Sequence, residues 1–176
     1  QRQLRAVGSH RRNQSKRRRR SYNQSVAIVG YTNAGKSTLL NLLADSDSVV
    51  ADRLFATLDP LTRRIQLPGG ESIFVTDTVG FVQKLPHQLI EAFKTTLDVV
   101  IEADLLLHIV DCSHASPETQ IKAVRSVLEE IGAGDVPEVL VFNKADRSDP
   151  SELLMLYPDS VAISSYTGAG IDKLLS

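Results

Sequence analysis

Val26-Ala27-Ile28-Val29-Gly30-Tyr31-Thr32-Asn33-Ala34-Gly35-Lys36-Ser37-Thr38-Leu39-Leu40 is the stretch on which the reading of this chain turns. Four apolar residues end at one glycine, a second glycine follows five positions later, and a leucine-rich run begins directly after Lys36-Ser37. The pattern predicts a strand, a tight turn and a helix, with residues 30–37 fitting G-x-x-x-x-G-K-[ST]. Glycines at both ends let the backbone fold so that successive N–H groups and the helix N-terminus face an anion. On this reading Asn33, Ala34, Gly35, Lys36, Ser37 and Thr38 line a polyphosphate. Lys36 reaches its β and γ phosphates, and Ser37 offers a hydroxyl to Mg²⁺, a hard cation that keeps several waters and takes few protein ligands. The plain alternative is a Gly-rich turn that binds nothing.

Outward from that stretch, short apolar runs alternate with amphipathic ones, the signature of a parallel sheet flanked by helices. Strands are expected at 26–29, 63–67, 72–76, 105–110, 139–142 and 161–163. Pro68-Gly69-Gly70 between the second and third predicts a hairpin, hence one antiparallel edge strand. Helical spacing recurs at Leu39, Leu40, Leu42 and Leu43, at Leu89, Phe93, Leu97 and Val100, and at Ile121, Val124, Leu128 and Ile131. Ser116 is expected to cap the third helix and Gly132 to end it, while residues 170–175 open a closing helix.

Two further motifs fall at strand ends, where α/β sheets bind ligands. Asp77-Thr78-Val79-Gly80 follows Ile73 to Val75 and places Asp77 beside Mg²⁺, with Gly80 presenting its N–H to a γ-phosphate. Taken alone, D-x-x-G is a weak signal. Asn143-Lys144-Ala145-Asp146 closes the strand at 139–142. Asp146 can accept from the ring N–H and exocyclic amine of guanine; adenine has no N–H at that ring position and would leave a buried carboxylate unpaired. Asn143 would tie this loop to the phosphate loop, and the Lys144 stem would lie over the base. Between the first two motifs a mobile segment must offer a threonine to Mg²⁺ and the γ-phosphate. Thr57, in Leu54-Phe55-Ala56-Thr57-Leu58-Asp59-Pro60, is the first choice and Thr62 its competitor.

With these residues in view, the chain resembles the translation-factor-like P-loop GTPases and, within them, the HflX family of ribosome-associated GTPases. The resemblance runs over residues 25–174 and rests on the phosphate loop, on residues 54–60, on Asp77-Thr78-Val79-Gly80-Phe81 and on Leu85-Pro86-His87. It implies a missing N-terminal nucleotide-binding-like domain joined through a helical linker. It also implies activity at the large ribosomal subunit, including the splitting of stalled ribosomes. The base loop, commonly Ser-Ala-Lys in such proteins, reads Ser164-Ser165-Tyr166 here. Ser164 and Ser165 keep a place beside the base, where backbone N–H contact to guanine O6 survives such changes.

Many small GTPases orient the attacking water with a Gln after D-x-x-G, where this chain has Phe81. An apolar ring cannot polarise water, so low intrinsic turnover and stimulation by a partner are expected. Asn33 matches the Asn that binds K⁺ in several GTPases lacking the Gln; a plain polar loop residue is the alternative.

The net charge of −1 over 176 residues conceals an asymmetry. Nine of the twenty Lys and Arg lie in the first twenty residues, which hold no acid; eleven bases then face twenty-one acids, so the body carries about −10. The run Lys16 to Arg20 is open to three readings: a solvated linker, a contact to ribosomal RNA, or a localisation signal. No apolar run approaches the roughly 18 residues of a membrane span. The single Cys112 fits a reducing compartment. His108 is expected as a packed or edge strand histidine.

The expected fold is a single Ras-like P-loop NTPase domain over 25–176, truncated at its C-terminus. Its mostly parallel six-stranded sheet has one antiparallel edge strand and helices on both faces, and a basic arm over 1–24 precedes it. The expected protein is a monomeric, cytoplasmic GTPase using Mg²⁺ and bound to GTP or GDP, with Lys36, Thr57 and Gly80 in catalysis, Ser37, Thr57 and Asp77 on the metal, and the ribosome as partner. The competing expectation is a GTP-gated RNA or protein adaptor in which hydrolysis only resets the state. If Asp146 faces the two guanine N–H donors, Asp146→Asn will weaken GTP binding and improve relative binding of xanthosine triphosphate; an unchanged preference for GTP in a competition assay would refute the assignment.

Overall fold

Two-sided burial selects the central strands. The computed structural model describes residues 24–44, 61–78, 80 and 94–176. Six strands form one sheet: β1 (Gln24–Gly30), β2 (Leu61–Gln66), β3 (Ser72–Asp77), β4 (Leu105–Asp111), β5 (Glu138–Asn143) and β6 (Val161–Ala162). Their order is β2-β3-β1-β4-β5-β6, and only the β2–β3 pair is antiparallel. The expected hairpin is present: Leu67 N–H donates to Glu71 O at 2.8 Å and Gly70 N–H to Leu67 O at 2.9 Å. Ile28 lies opposite Asp77, Gly30 opposite Ile109 and Asp111 opposite Asn143, so the carboxyl ends of β1, β3, β4 and β5 open on one edge of the sheet.

Helices cover both faces. On one, α1 (Lys36–Leu43) buries Leu39 and Leu40 against Val26, Ile28, Val75, Ile109 and Val141, and residues after β6, including α5 (Ile171–Leu174), close the same layer. On the other, Leu97 and Val100 of α2 (Lys94–Glu102) and Val124, Val127 and Leu128 of α3 (Pro117–Glu130) pack on Ala27, Val29 and Leu106. Each such side chain, fully buried, contributes about 1.5–3 kcal/mol. The positions at Leu89 and Phe93, expected at the start of α2, lie outside the described residues.

Two local expectations need correction. The Ser116 side chain makes no capping bond to α3. Instead its own N–H donates to His114 Nδ1 at 3.1 Å, and Pro117, which has no N–H to satisfy, begins the helix. The other end behaves as expected: Gly132 N–H donates to Glu129 O and Ala133 N–H to Leu128 O, a paired closure that satisfies two terminal carbonyls. A helix that the sequence pattern does not predict, α4 (Ser151–Leu156), follows Pro150, and its Leu153 and Leu154 shield Phe142 and Leu140. Six residues are too few to show helical periodicity.

His108 is fully buried in β4. Its Nδ1 lies 2.5 Å from Glu138 Oε1, and Glu138 Oε2 accepts from Arg125 Nε at 3.0 Å. An ionised carboxylate only accepts, so Nδ1 carries the proton. Nε2 has no hydrogen-bond partner. Burial pushes the imidazole pKa down, an effect opposed by Glu138 and reinforced by Arg125 and Lys36. With the folded-state value below the ordinary one of about 6.5, the unfolded chain takes up the proton first as pH falls, and stability declines with it. Denaturant unfolding compared at about pH 7.5 and about pH 5.5 is expected to show that decline, and His108→Leu to remove most of it. An equal pH dependence in the variant would acquit His108.

Candidate guanine-nucleotide site

The site forms where the open strand ends meet the turn between β1 and α1. Gly35 caps α1 at φ 96°, a left-handed conformation that disfavours side chains, and a Cβ there would collide with Asn143 Nδ2. The first N–H groups of α1, from Lys36 to Thr38, begin a helix that has no side-chain cap and are oriented for an anion.

Around that turn the expected residues converge. Ser37 Oγ donates to Asp77 Oδ2 at 2.5 Å, and Asp77 is fully buried at the end of β3. The pair supplies two hard oxygen ligands beside the phosphate loop, a donor set that fits Mg²⁺. Lys36 is 7% exposed, and its Nζ donates to Tyr31 O at 2.9 Å. Burial lowers its pKa to about 8, with Asp77 partly opposing the shift. Gly80 is packed so closely that a Cβ would stand 2.9 Å from Thr32 Cα and 3.0 Å from Lys36 Nζ. Any larger residue there would press on the Lys36 ammonium.

The specificity strand is tied in by side chains. Asn143, fully buried, donates through Nδ2 to Ala34 O at 2.9 Å and to Ser165 Oγ at 3.0 Å, while its Oδ1 accepts from Ser165 N–H at 2.9 Å. Ser164 Oγ donates to Asp146 Oδ1 at 2.5 Å, orienting the carboxylate, and accepts from Thr167 N–H at 3.1 Å. Both serines of the base loop thus act on Asn143 and Asp146 through their hydroxyls. Tyr166, the residue that replaces the common Lys, is 88% exposed.

Thr57, Phe81 and residues 1–23 of the basic arm lie outside the described residues, whereas Gln24, expected at the end of that arm, begins β1. Thr62, the competitor for Thr57, is a β2 residue whose Oγ1 is 2.8 Å from Thr76 Oγ1, within the hairpin. Two contributing residues carry no sequence signal of their own. Buried Thr78 donates to Ile28 O at 2.7 Å and so locks the end of β3 to β1. Asp111 accepts from Lys144 Nζ at 2.6 Å. Thr78 stands inside the D-x-x-G motif, but only β1 beside it gives its hydroxyl a partner. Cys112 is buried, and burial raises its thiol pKa, as expected of an unreactive packing residue. Among the described residues no cluster of His, Cys, Asp and Glu has metal-site geometry.

Ser165→Ala would leave one Asn143 N–H buried without an acceptor, which costs about 1–3 kcal/mol. Urea unfolding of the nucleotide-free protein is expected to show that destabilisation; equal midpoints would show that the bond contributes nothing.

Comparison with known proteins agrees with this geometry. A family model described as 50S ribosome-binding GTPase matches residues 25–144. GTPase HflX of Lacrimispora saccharolytica is 47% identical over 176 residues, covering 99% of this chain and 42% of its own length. GTPase HflX of Akkermansia muciniphila is 49% identical over 146 residues, 83% of this chain and 33% of that protein. The chain therefore spans less than half the length of these curated relatives. Among solved structures, a GTP-binding protein of Sulfolobus solfataricus in complex with GDP superposes with a TM-score of 0.71 at 27% identity, covering 86% of this chain and 50% of that one. A variant of Era from Aquifex aeolicus bound to GDP and AlF4⁻ gives 0.69 at 25% identity, over 87% and 55%. A family match from β1 to the Asn143-Lys144 loop, with close to half of all residues shared along almost the whole chain, establishes that this protein belongs to the HflX family of GTPases.

Proposed function

We propose that this chain is the switch domain of a ribosome-associated GTPase that acts on the large ribosomal subunit and separates stalled ribosomes. The observation that carries the nucleotide part is Asp146, held by Ser164 at the carboxyl end of β5, on the same edge as the phosphate loop. Its carboxylate has a geometry suited to the two N–H donors of guanine. The ribosomal part rests on the family and on the charge asymmetry, because a body of about −10 repels RNA while an arm with nine bases attracts it.

In this reading Lys36 and the α1 N-terminus hold the β and γ phosphates, and Gly80 N–H faces the γ-phosphate. Ser37, Asp77 and Thr57 would hold Mg²⁺, whose charge would offset that developing on the transferred phosphoryl group. Asn33 would take K⁺. Phe81 offers no hydrogen bond to the attacking water, so the domain hydrolyses GTP slowly until a partner stimulates it. Residues 1–24 act as a linker arm, 25–176 as a monomeric G domain, and the setting is the cytoplasm, where ribosomes are.

GTP turnover measured with and without large ribosomal subunits tests this, and strong stimulation is expected. Absence of stimulation would favour a GTP-gated adaptor that uses hydrolysis only to reset. Replacing Arg17 to Arg20 with Ser is expected to weaken co-sedimentation with ribosomes. It should also flatten the salt dependence by about 0.7 log units for each phosphate no longer neutralised on a single strand, or about 0.9 on a duplex. An unaltered slope would reduce the arm to a linker. Equal rates in potassium and sodium would remove K⁺ alone.

A further inference from the structure

Lys144 crosses from the end of β5 to the phosphate loop, and its ammonium is held from two sides. Nζ donates to Asn33 O at 2.9 Å and to Asp111 Oδ2 at 2.6 Å. Asp111 is itself immobilised, since its Oδ1 accepts from Ser113 N–H at 2.9 Å and from Ser113 Oγ at 2.6 Å. It lies opposite Asn143 in the β4–β5 register, and Asn143 directly precedes the lysine that Asp111 holds. Each side chain of the ion pair is only 17% exposed, so solvent screens it less than an ordinary surface pair.

The backbone on both sides of this bridge is unusual. Asn33 has φ 60° and Lys144 φ 66°, and they are the only non-glycine residues with positive φ among those described. Left-handed backbone costs a residue with a side chain roughly 1–2 kcal/mol, so surrounding contacts must hold each in place. The Asn33 carbonyl is aimed by that conformation, and Lys144 is what it meets. Without Asp111 the ammonium would have one fixed acceptor in place of two, and the lysine stem would be free to swing away from the base.

We propose that Asp111 is a positioning residue of the nucleotide site, which through Lys144 fixes both the wall over the guanine base and the left-handed turn of the phosphate loop at Asn33. Three strand-end loops, after β1, β4 and β5, are joined by this one chain of charge-assisted bonds. The carboxylate stays ionised in this position. Partial burial works against its charge, but the hydrogen bonds from Lys144 and Ser113 outweigh that and hold its pKa below the ordinary value. Asp111 acts through Lys144, and its effect is on how long the nucleotide stays. The inference rests on the guanine-nucleotide reading of the site.

Asp111→Asn is the informative variant, because the amide keeps the shape and the acceptor for Ser113 but gives up the charge facing Lys144. Release of a fluorescent GDP analogue from the full chain is expected to be about tenfold faster, the scale of one charge-assisted bond. In a Lys144→Met background the same change is expected to alter release by less than about twofold, since an effect carried through Lys144 has no carrier left. Unchanged release in the single variant, or equal acceleration in both backgrounds, would overturn the proposal. So would loss of cooperative melting in nucleotide-free Asp111→Asn, which would assign the residue to folding alone. Failure of the unsubstituted chain to bind the analogue would strike the nucleotide reading itself, and that control is measured first.

Discussion

A single buried amide connects the three loops on which recognition depends. Asn143 uses both of its N–H groups and its carbonyl, bonding the phosphate loop at Ala34 and the base loop at Ser165. In a site away from water each of these bonds is worth more than at the surface, and each would be costly to leave unmade. Gly35 passes so close to the amide that a side chain there has no room. Three segments distant from one another in sequence are thereby held within hydrogen-bonding distance.

The phosphate end is built differently. Its groups, Lys36, Ser37, Asp77 and Gly80, face each other across the carboxyl ends of β1 and β3, with Thr78 fastening the second strand to the first. Ser37 and Asp77 are bonded to one another, and Lys36 to Tyr31 O.

Most of the fold was readable in the amino-acid order, because the central sheet is covered on both faces and its strands β1, β4 and β5 had to be short, largely apolar runs. The inner strands follow from that pattern, whereas the largely exposed edge strand β2, the β2–β3 hairpin and the Gly132 stop follow from turn chemistry. The elements that were missed or misread are those without periodicity or with competing local bonds: α4, with six residues, and Ser116, whose side chain leaves α3 to begin at Pro117.

The site divides along the same line. The motifs by themselves pointed to a phosphate loop, a metal-facing aspartate and a guanine-reading aspartate, since each is a short string whose chemistry depends on adjacent residues. What only the tertiary structure decided is how they hold one another. That Ser164 orients Asp146, that Thr78 bonds Ile28, and that Asp111 grips a lysine joined to Asn33 are contacts between residues 18, 50, 33 and 111 positions apart. No local pattern encodes such distances; strand order and register set them, and hydrogen bonding, which is short-ranged and directional, then selects the partners.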